Sequence, residues 1–159
     1  MTFEFDFLET LFFHYKRLNK DWLKPLLEKL ADIAIEQINK RRPKRWNYNL
    51  WKQKYRKLWR DADELTLKYY FISDTHDFLD HDPSGKWHHK VFTRDFLQLL
   101  YILDGLFRTG TYSINKRRKD LLEKFGIYPV IKHIAEVKEL WRYRIVSLSS
   151  DEYRLREGG

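Results

Sequence analysis

The sequence predicts a mainly α protein of α+β character: a helical bundle whose C-terminal part is helix-turn-helix-like and ends in a β-hairpin. Three observations predict it. Apolar residues recur every three or four positions through most of the chain. Helix-stopping and helix-starting residues sit between the periodic stretches. Only the tail, "RYRIVSLSSDEYRLRE", turns to strand chemistry, with two β-rich runs flanking Ser149-Ser150-Asp151. At 159 residues and 43% hydrophobic, the chain has the size of one domain and enough apolar mass for a core. The expected organisation is a helical region over 1–70, an Asp/His-rich connector over 71–92, and helices plus a hairpin over 93–159, packed as one compact unit.

Each element has its own signal. Phe5, Leu8, Phe12, Tyr15 and Leu18 form one helical face, and Asn19 offers a stop. Pro25 suits a first helical turn, and Leu27, Leu30, Ala34 and Ile38 continue a stripe to about Arg42, where Pro43 enforces a break. Asn47 is an N-cap for a third helix. Trp51, Tyr55, Leu58, Ala62, Leu65 and Tyr69 then run down one face as an unbroken seam. Thr93 caps a helix from Arg94 to about Phe107 that is apolar almost all round, the most buried of the set. Ser113 caps the next, with Lys116, Arg117, Arg118 and Lys119 outward and Gly126 as its stop. Pro129 opens a last helix with Val130, Ile134, Val137 and Trp141 on one side.

Charge is where the sequence speaks of function. The formal net charge is +8, and residues 40–60, "KRRPKRWNYNLWKQKYRKLWR", hold ten Lys or Arg and no Asp or Glu. The remainder carries 21 bases against 23 acids, so the whole positive excess lies in one segment. Such a field suits a polyanion, and Lys and Arg that neutralise phosphates supply sequence-independent nucleic-acid affinity. Aromatics interleaved with bases offer stacking surfaces for unpaired bases. The candidate contacts are Arg41, Arg42, Lys44, Arg45, Trp46, Lys52, Lys54, Lys57, Trp59 and Arg60, while Trp51 and Tyr55 belong to the apolar seam. The alternatives are a solvated basic face, or an anionic membrane or acidic protein partner. In the C-terminal half, the order helix, basic helix, short turn, helix, hairpin is that of a winged helix-turn-helix. Arg142, Arg144, Arg154 and Arg156 would then make the wing basic. Glu136 and Glu139 on the recognition helix oppose that reading.

One stretch raises the question of catalysis. "YYFISDTHDFLDHD", residues 69–82, runs from apolar residues into Asp74, His76, Asp77, Asp80, His81 and Asp82, with His88 and His89 close behind. A strand ending in Asp-x-His resembles the first metal-binding motif of the calcineurin-like metallophosphoesterases. The resemblance implies Asp74 and His76 as metal ligands, with Asp104 of "YILDGLF" and His133 of "IKHIAE" as counterparts of the family's later elements. The glycine before Asp104 and the glycine and asparagine before His133 are absent, and about 65 residues could align. Carboxylates and imidazoles suit a divalent ion that activates water, and a nuclease site beside a basic helix would follow. The alternative, and the expectation here, is a polar loop whose acids cap helix ends, with 69–73 the one place outside the tail where a strand could form.

Other chemistry is excluded. There are no cysteines, hence no disulfide, thiol nucleophile or thiolate metal site. No Gly-rich phosphate loop or Gly-x-Ser-x-Gly elbow occurs, and His14 reads as a core histidine. No apolar run approaches the roughly 20 residues of a membrane span, and no targeting segment is evident, so a cytoplasmic location is expected. The sequence thus predicts a non-catalytic nucleic-acid-binding protein, for DNA or RNA, without a cofactor, and with a protein partner or a second copy open. A metal-dependent nuclease or phosphoesterase using the cluster at 74–89 is one alternative. A helical adaptor or small subunit of a nucleoprotein complex is the other.

Overall fold

The computed structural model describes residues 3–42, 44–82, 91–109, 113–136, 143–149 and 152–157. The described chain is mainly helical: α1 (Phe3–Arg17), α2 (Lys24–Arg41), α3 (Tyr48–Tyr55), α4 (Glu64–Asp80), α5 (Arg94–Thr109), α6 (Lys116–Lys124) and α7 (Tyr128–Glu136), with short 3₁₀ turns at Asp21–Leu23 and Lys44–Trp46. The hairpin expected beyond α7 is not part of what these helices establish. Contacts divide the chain into two compact units, 1–13 with 27–94 and 14–26 with 95–159.

The first unit is built on apolar stripes. Leu27, Leu30, Ala34 and Ile38 of α2 are all fully buried, as the i, i+3, i+4 pattern predicts. In α1 the buried set is Phe5, Phe7, Leu8 and Leu11, and Phe12 stacks on Tyr69 with ring centroids 4.8 Å apart. The Tyr69 hydroxyl, wholly buried, donates to the Leu27 carbonyl at 2.9 Å. Asn47 caps α3 as expected, its side chain accepting from the Asn49 amide.

Two sequence expectations fail here. The seam from Trp51 to Tyr69 is not one helix: the chain turns at 56–61 and α4 starts afresh at Glu64. Asp63 causes the restart, because its carboxylate accepts from the Thr66 amide at 2.7 Å and satisfies an otherwise orphaned donor. Leu58, expected in the seam, is 69% exposed on that turn. Second, residues 69–80 are neither strand nor connector but the last three turns of α4. Leu65, Tyr69, Ile72, His76 and Leu79 are buried at steps of four, three, four and three. The helical period is intact once His76 is counted as an interior residue.

In the second unit, Phe96, Leu99, Leu100, Leu103 and Leu106 of α5 are fully buried. The helix is amphipathic rather than apolar all round, since Tyr101 is 58% exposed. Asn115, not Ser113, caps α6, its side chain accepting from the Arg118 amide at 3.0 Å. Gly126, with φ of 69°, ends it. The Ile127 amide bonds the Leu122 carbonyl and the Gly126 amide the Glu123 carbonyl, the pair of bonds that a left-handed residue makes possible. The buried face of α7 is Ile131 and Ile134, with Ile127 just ahead of it.

Phe71 is fully buried in α4 and has Trp46, Tyr48 and Trp51 around its ring, at 6.4, 5.3 and 5.4 Å. Truncation there leaves a cavity that three large rings cannot collapse into. Phe71→Ala is expected to destabilise the protein by about 3–5 kcal/mol, as read by urea or guanidinium unfolding.

Candidate nucleic-acid interface

The basic segment has an aromatic half and a charged half, and the fold turns them opposite ways. The Trp46 indole donates to Thr75 Oγ1 at 2.9 Å and the Trp51 indole to Asp74 Oδ2 at 2.7 Å, so two anchors tie the segment to α4. Trp51 stacks on Trp59 at 5.7 Å, and Trp59 lies 4.9 Å from the Tyr70 ring. Trp46 and Trp59 were expected to be free for stacking on bases. Both are part of the packing instead, because indoles gain more from buried neighbours than from water.

The bases divide in the same way. Arg42, expected as a phosphate contact, is 5% exposed, with its guanidinium carbon 3.9 Å from the centroid of Phe78 and 5.7 Å from that of Trp46. A guanidinium sandwiched over aromatic faces is held by cation–π attraction. Lys52, also expected to point to solvent, reaches Glu64 at 2.5 Å. Lys44, Lys54, Arg56, Lys57 and Arg60 are exposed, and Arg41 is half-buried. Arg56 was absent from the sequence-based set. Its position in the turn 56–61, which the sequence did not foresee, exposes it. The side chains of Arg45, Arg144, Arg154 and Arg156, and all of Arg142, His88 and His89, lie outside the described residues.

Glu64 organises the rim of this surface. It accepts from the Tyr48 hydroxyl at 2.5 Å as well as from Lys52. Burial pushes the Glu64 carboxyl up, but the hydrogen bonds from Lys52 and Tyr48 and the nearby charges of Lys52 and Lys68 outweigh it and leave the value lowered. Burial, then the bond to Glu64, pushes the Tyr48 hydroxyl far up, so it remains a donor.

Asp74 and His76, the ligands that the phosphoesterase resemblance implied, are each engaged within the first unit. Asp74 is engaged by the Trp51 indole. His76 is buried and bonds Glu9 through Nδ1 at 3.0 Å. Asp104 on α5 and His133 on α7 belong to the second unit. Trp46, Asp74, Asp77, Phe78, His81 and Asp82 line a shallow groove of about 340 Å³. Among the described residues, the one carboxylate–imidazole group whose ligand atoms converge is Asp6, Glu9 and His76, within 4.8 Å of one another. Asp6 and Glu9 escaped the sequence reading because their i, i+3 spacing on α1 says nothing about a histidine 67 residues away. No helix among the described residues is long and apolar enough to cross a membrane. No protein-family model, curated protein or solved structure matches the chain.

Two predictions follow from this geometry. Asp74→Ala removes the acceptor of the buried Trp51 indole and is expected to cost about 1–3 kcal/mol in denaturant unfolding, whereas Asp74→Asn keeps an acceptor oxygen and costs less than about 1 kcal/mol. Because the folded Glu64 carboxyl is held below its unfolded value, its contribution is present above about pH 4.3 and fades as the pH falls through the folded value. Glu64→Gln is therefore expected to lower stability at neutral pH and to flatten its acid limb below that point, as followed by thermal melts from pH 7 to pH 3.

Proposed function

We propose that this chain binds nucleic acid without cleaving it, holding the phosphate backbone on Lys44, Lys54, Arg56, Lys57 and Arg60. The observation that carries this reading is the split in residues 40–60: ten bases without one acid, whose aromatic neighbours are anchored inward while these five bases stay exposed. Bases that no local acid neutralises and that need not leave the core meet a polyanion at little ordering cost. Recognition is of charge rather than of base identity, since Trp46 and Trp59 are occupied by packing.

The winged arrangement of the C-terminal half belongs to the same proposal. It is supported by the basic α6 and by the turn at Gly126. In that reading the strand-forming tail carries Arg144, Arg154 and Arg156. By sequence, Arg142 belongs to the same set of proposed contacts. A place in a larger nucleoprotein assembly is a second reading, favoured by Leu50 and Leu58, 51% and 69% exposed among the exposed bases of the segment.

The test is fluorescence anisotropy with labelled single- and double-stranded oligonucleotides at several salt concentrations. Changing Lys54, Arg56, Lys57 and Arg60 together to Gln is expected to weaken binding strongly. The slope of log K against log salt should fall by up to about 3 units for single strands, since each phosphate contact contributes about 0.7. Stability should change little, because exposed charges contribute little to folding. Unchanged affinity and slope would remove the proposal's support.

A further inference from the structure

We propose that the groove between α5 and α6 in the second unit is a binding site for a nucleoside 5′-phosphate, with the Tyr101 ring as the face for the base and Arg117 and Arg118 as the phosphate contacts. The proposal does not rest on the nucleic-acid reading of residues 40–60, since every described residue that lines the groove belongs to the second unit. The groove encloses about 680 Å³, twice the volume of the one beside Trp46 and within the roughly 300–1,000 Å³ of small-molecule sites. Helical spacing builds it from two stripes. Asp95, Gln98 and Ile102 stand at i, i+3 and i+7 on α5, and Arg117, Leu121 and Lys124 at i, i+4 and i+7 on α6. The two helices are held in place without a ligand. Phe96 packs on Phe125 with ring centroids 6.0 Å apart, and Lys124 bonds Asp95 from one helix to the other. A site formed in advance spares a ligand the cost of ordering it.

The lining asks for a flat ring and an anion in one molecule. Ile102 is buried and Leu121 half-buried, and together they give the groove an apolar floor. Tyr101 is 58% exposed on its edge. A phenol ring carried on a helix is a rigid stacking face, and it accepts any base because every base has a π-face. Charge supplies the second half. Arg117, Arg118 and Lys124 stand against Asp95 and Asp120, and Lys124 is committed to Asp95. Two neighbouring guanidiniums then face one carboxylate. The planar fork of each guanidinium matches phosphate oxygens in pairs. Asn115 fixes the turn that carries both arginines, its side chain accepting from the Arg118 amide at 3.0 Å. Asp120 and the Gln98 carboxamide oxygen are acceptors for the donors of a nucleoside, its hydroxyls and ring amino group. A bare anion would leave Tyr101 and the apolar floor unused, and an uncharged ring would leave the arginines unused.

The experiment is calorimetric titration of the whole chain with AMP, GMP, CMP and UMP, beside adenosine and inorganic phosphate alone, with circular dichroism of every variant as the check on folding. The expected result is one saturable equivalent of nucleotide per chain, with adenosine and phosphate each at least about tenfold weaker than AMP. Tyr101→Ala, at an exposed position that tolerates the change, should weaken nucleotide binding about tenfold or more, and Tyr101→Phe should bind as the parent does. Arg117→Gln combined with Arg118→Gln should weaken it at least about tenfold. The variant with Lys54, Arg56, Lys57 and Arg60 changed to Gln should keep its nucleotide, and Tyr101→Ala should keep its oligonucleotide affinity, so that failure of this proposal and failure of the nucleic-acid reading show separately. In that quadruple variant, a 5′-phosphorylated oligonucleotide that displaces AMP where its 5′-hydroxyl form does not assigns the ligand to a strand end, and one that leaves AMP bound assigns it to the free nucleotide. No saturable equivalent of any of the four nucleotides, phosphate alone bound as tightly as AMP, or nucleotide binding untouched by the Tyr101→Ala and arginine changes would overturn the proposal.

Discussion

The first unit depends on the burial of the Phe71 ring. Phe71 lies midway along α4 and has no exposure, and three rings of the basic segment meet the core there: Trp46, Tyr48 and Trp51 gather around that one side chain. Each aromatic pair adds about 0.5–1.5 kcal/mol beyond the area it buries. The two indole N–H groups then find acceptors on the same helix, Thr75 and Asp74, four and three residues after Phe71. A buried indole without an acceptor would be costly, so these bonds fix where the segment lies as well as how tightly it is held.

That constraint sorts the charges. A base next to an anchored ring must either join the packing, as Arg42 does over Phe78, or be turned out, as Lys54, Lys57 and Arg60 are. Lys52 takes an intermediate course and closes on Glu64, the acid that also receives the Tyr48 hydroxyl. The result is a cationic surface set on a stiff aromatic base. Phosphate binding on such a surface loses little conformational freedom, because the backbone that carries the bases is already ordered.

Much of the fold was legible because some residues have one structural use. The α2 stripe, the Asn47 cap and the left-handed Gly126 were each written in a residue type that does little else at that spacing. The helix at 69–80 was not legible, because Asp74, His76, Asp77 and Asp80 mask its apolar period, and only a buried histidine restores it. The break before α4 was hidden by the same ambiguity, since Asp63 reads as a solvated acid until its bond to the Thr66 amide is seen. For the site, the sequence located the charged segment but not its two faces. Arg42 and Trp46 are separated from Phe78 and Thr75 by some thirty residues or more, and no local pattern reports such a contact. Glu9 and His76 meet across a longer gap still, 67 residues.

If charge alone carries recognition, the bases of the nucleic acid should be dispensable. Competition between a labelled oligonucleotide and inorganic polyphosphate of matched charge measures that directly. The present account predicts that polyphosphate displaces the oligonucleotide at a comparable concentration of phosphate. Failure of polyphosphate to compete, while unlabelled oligonucleotide does, would contradict it and return recognition to the aromatic side chains.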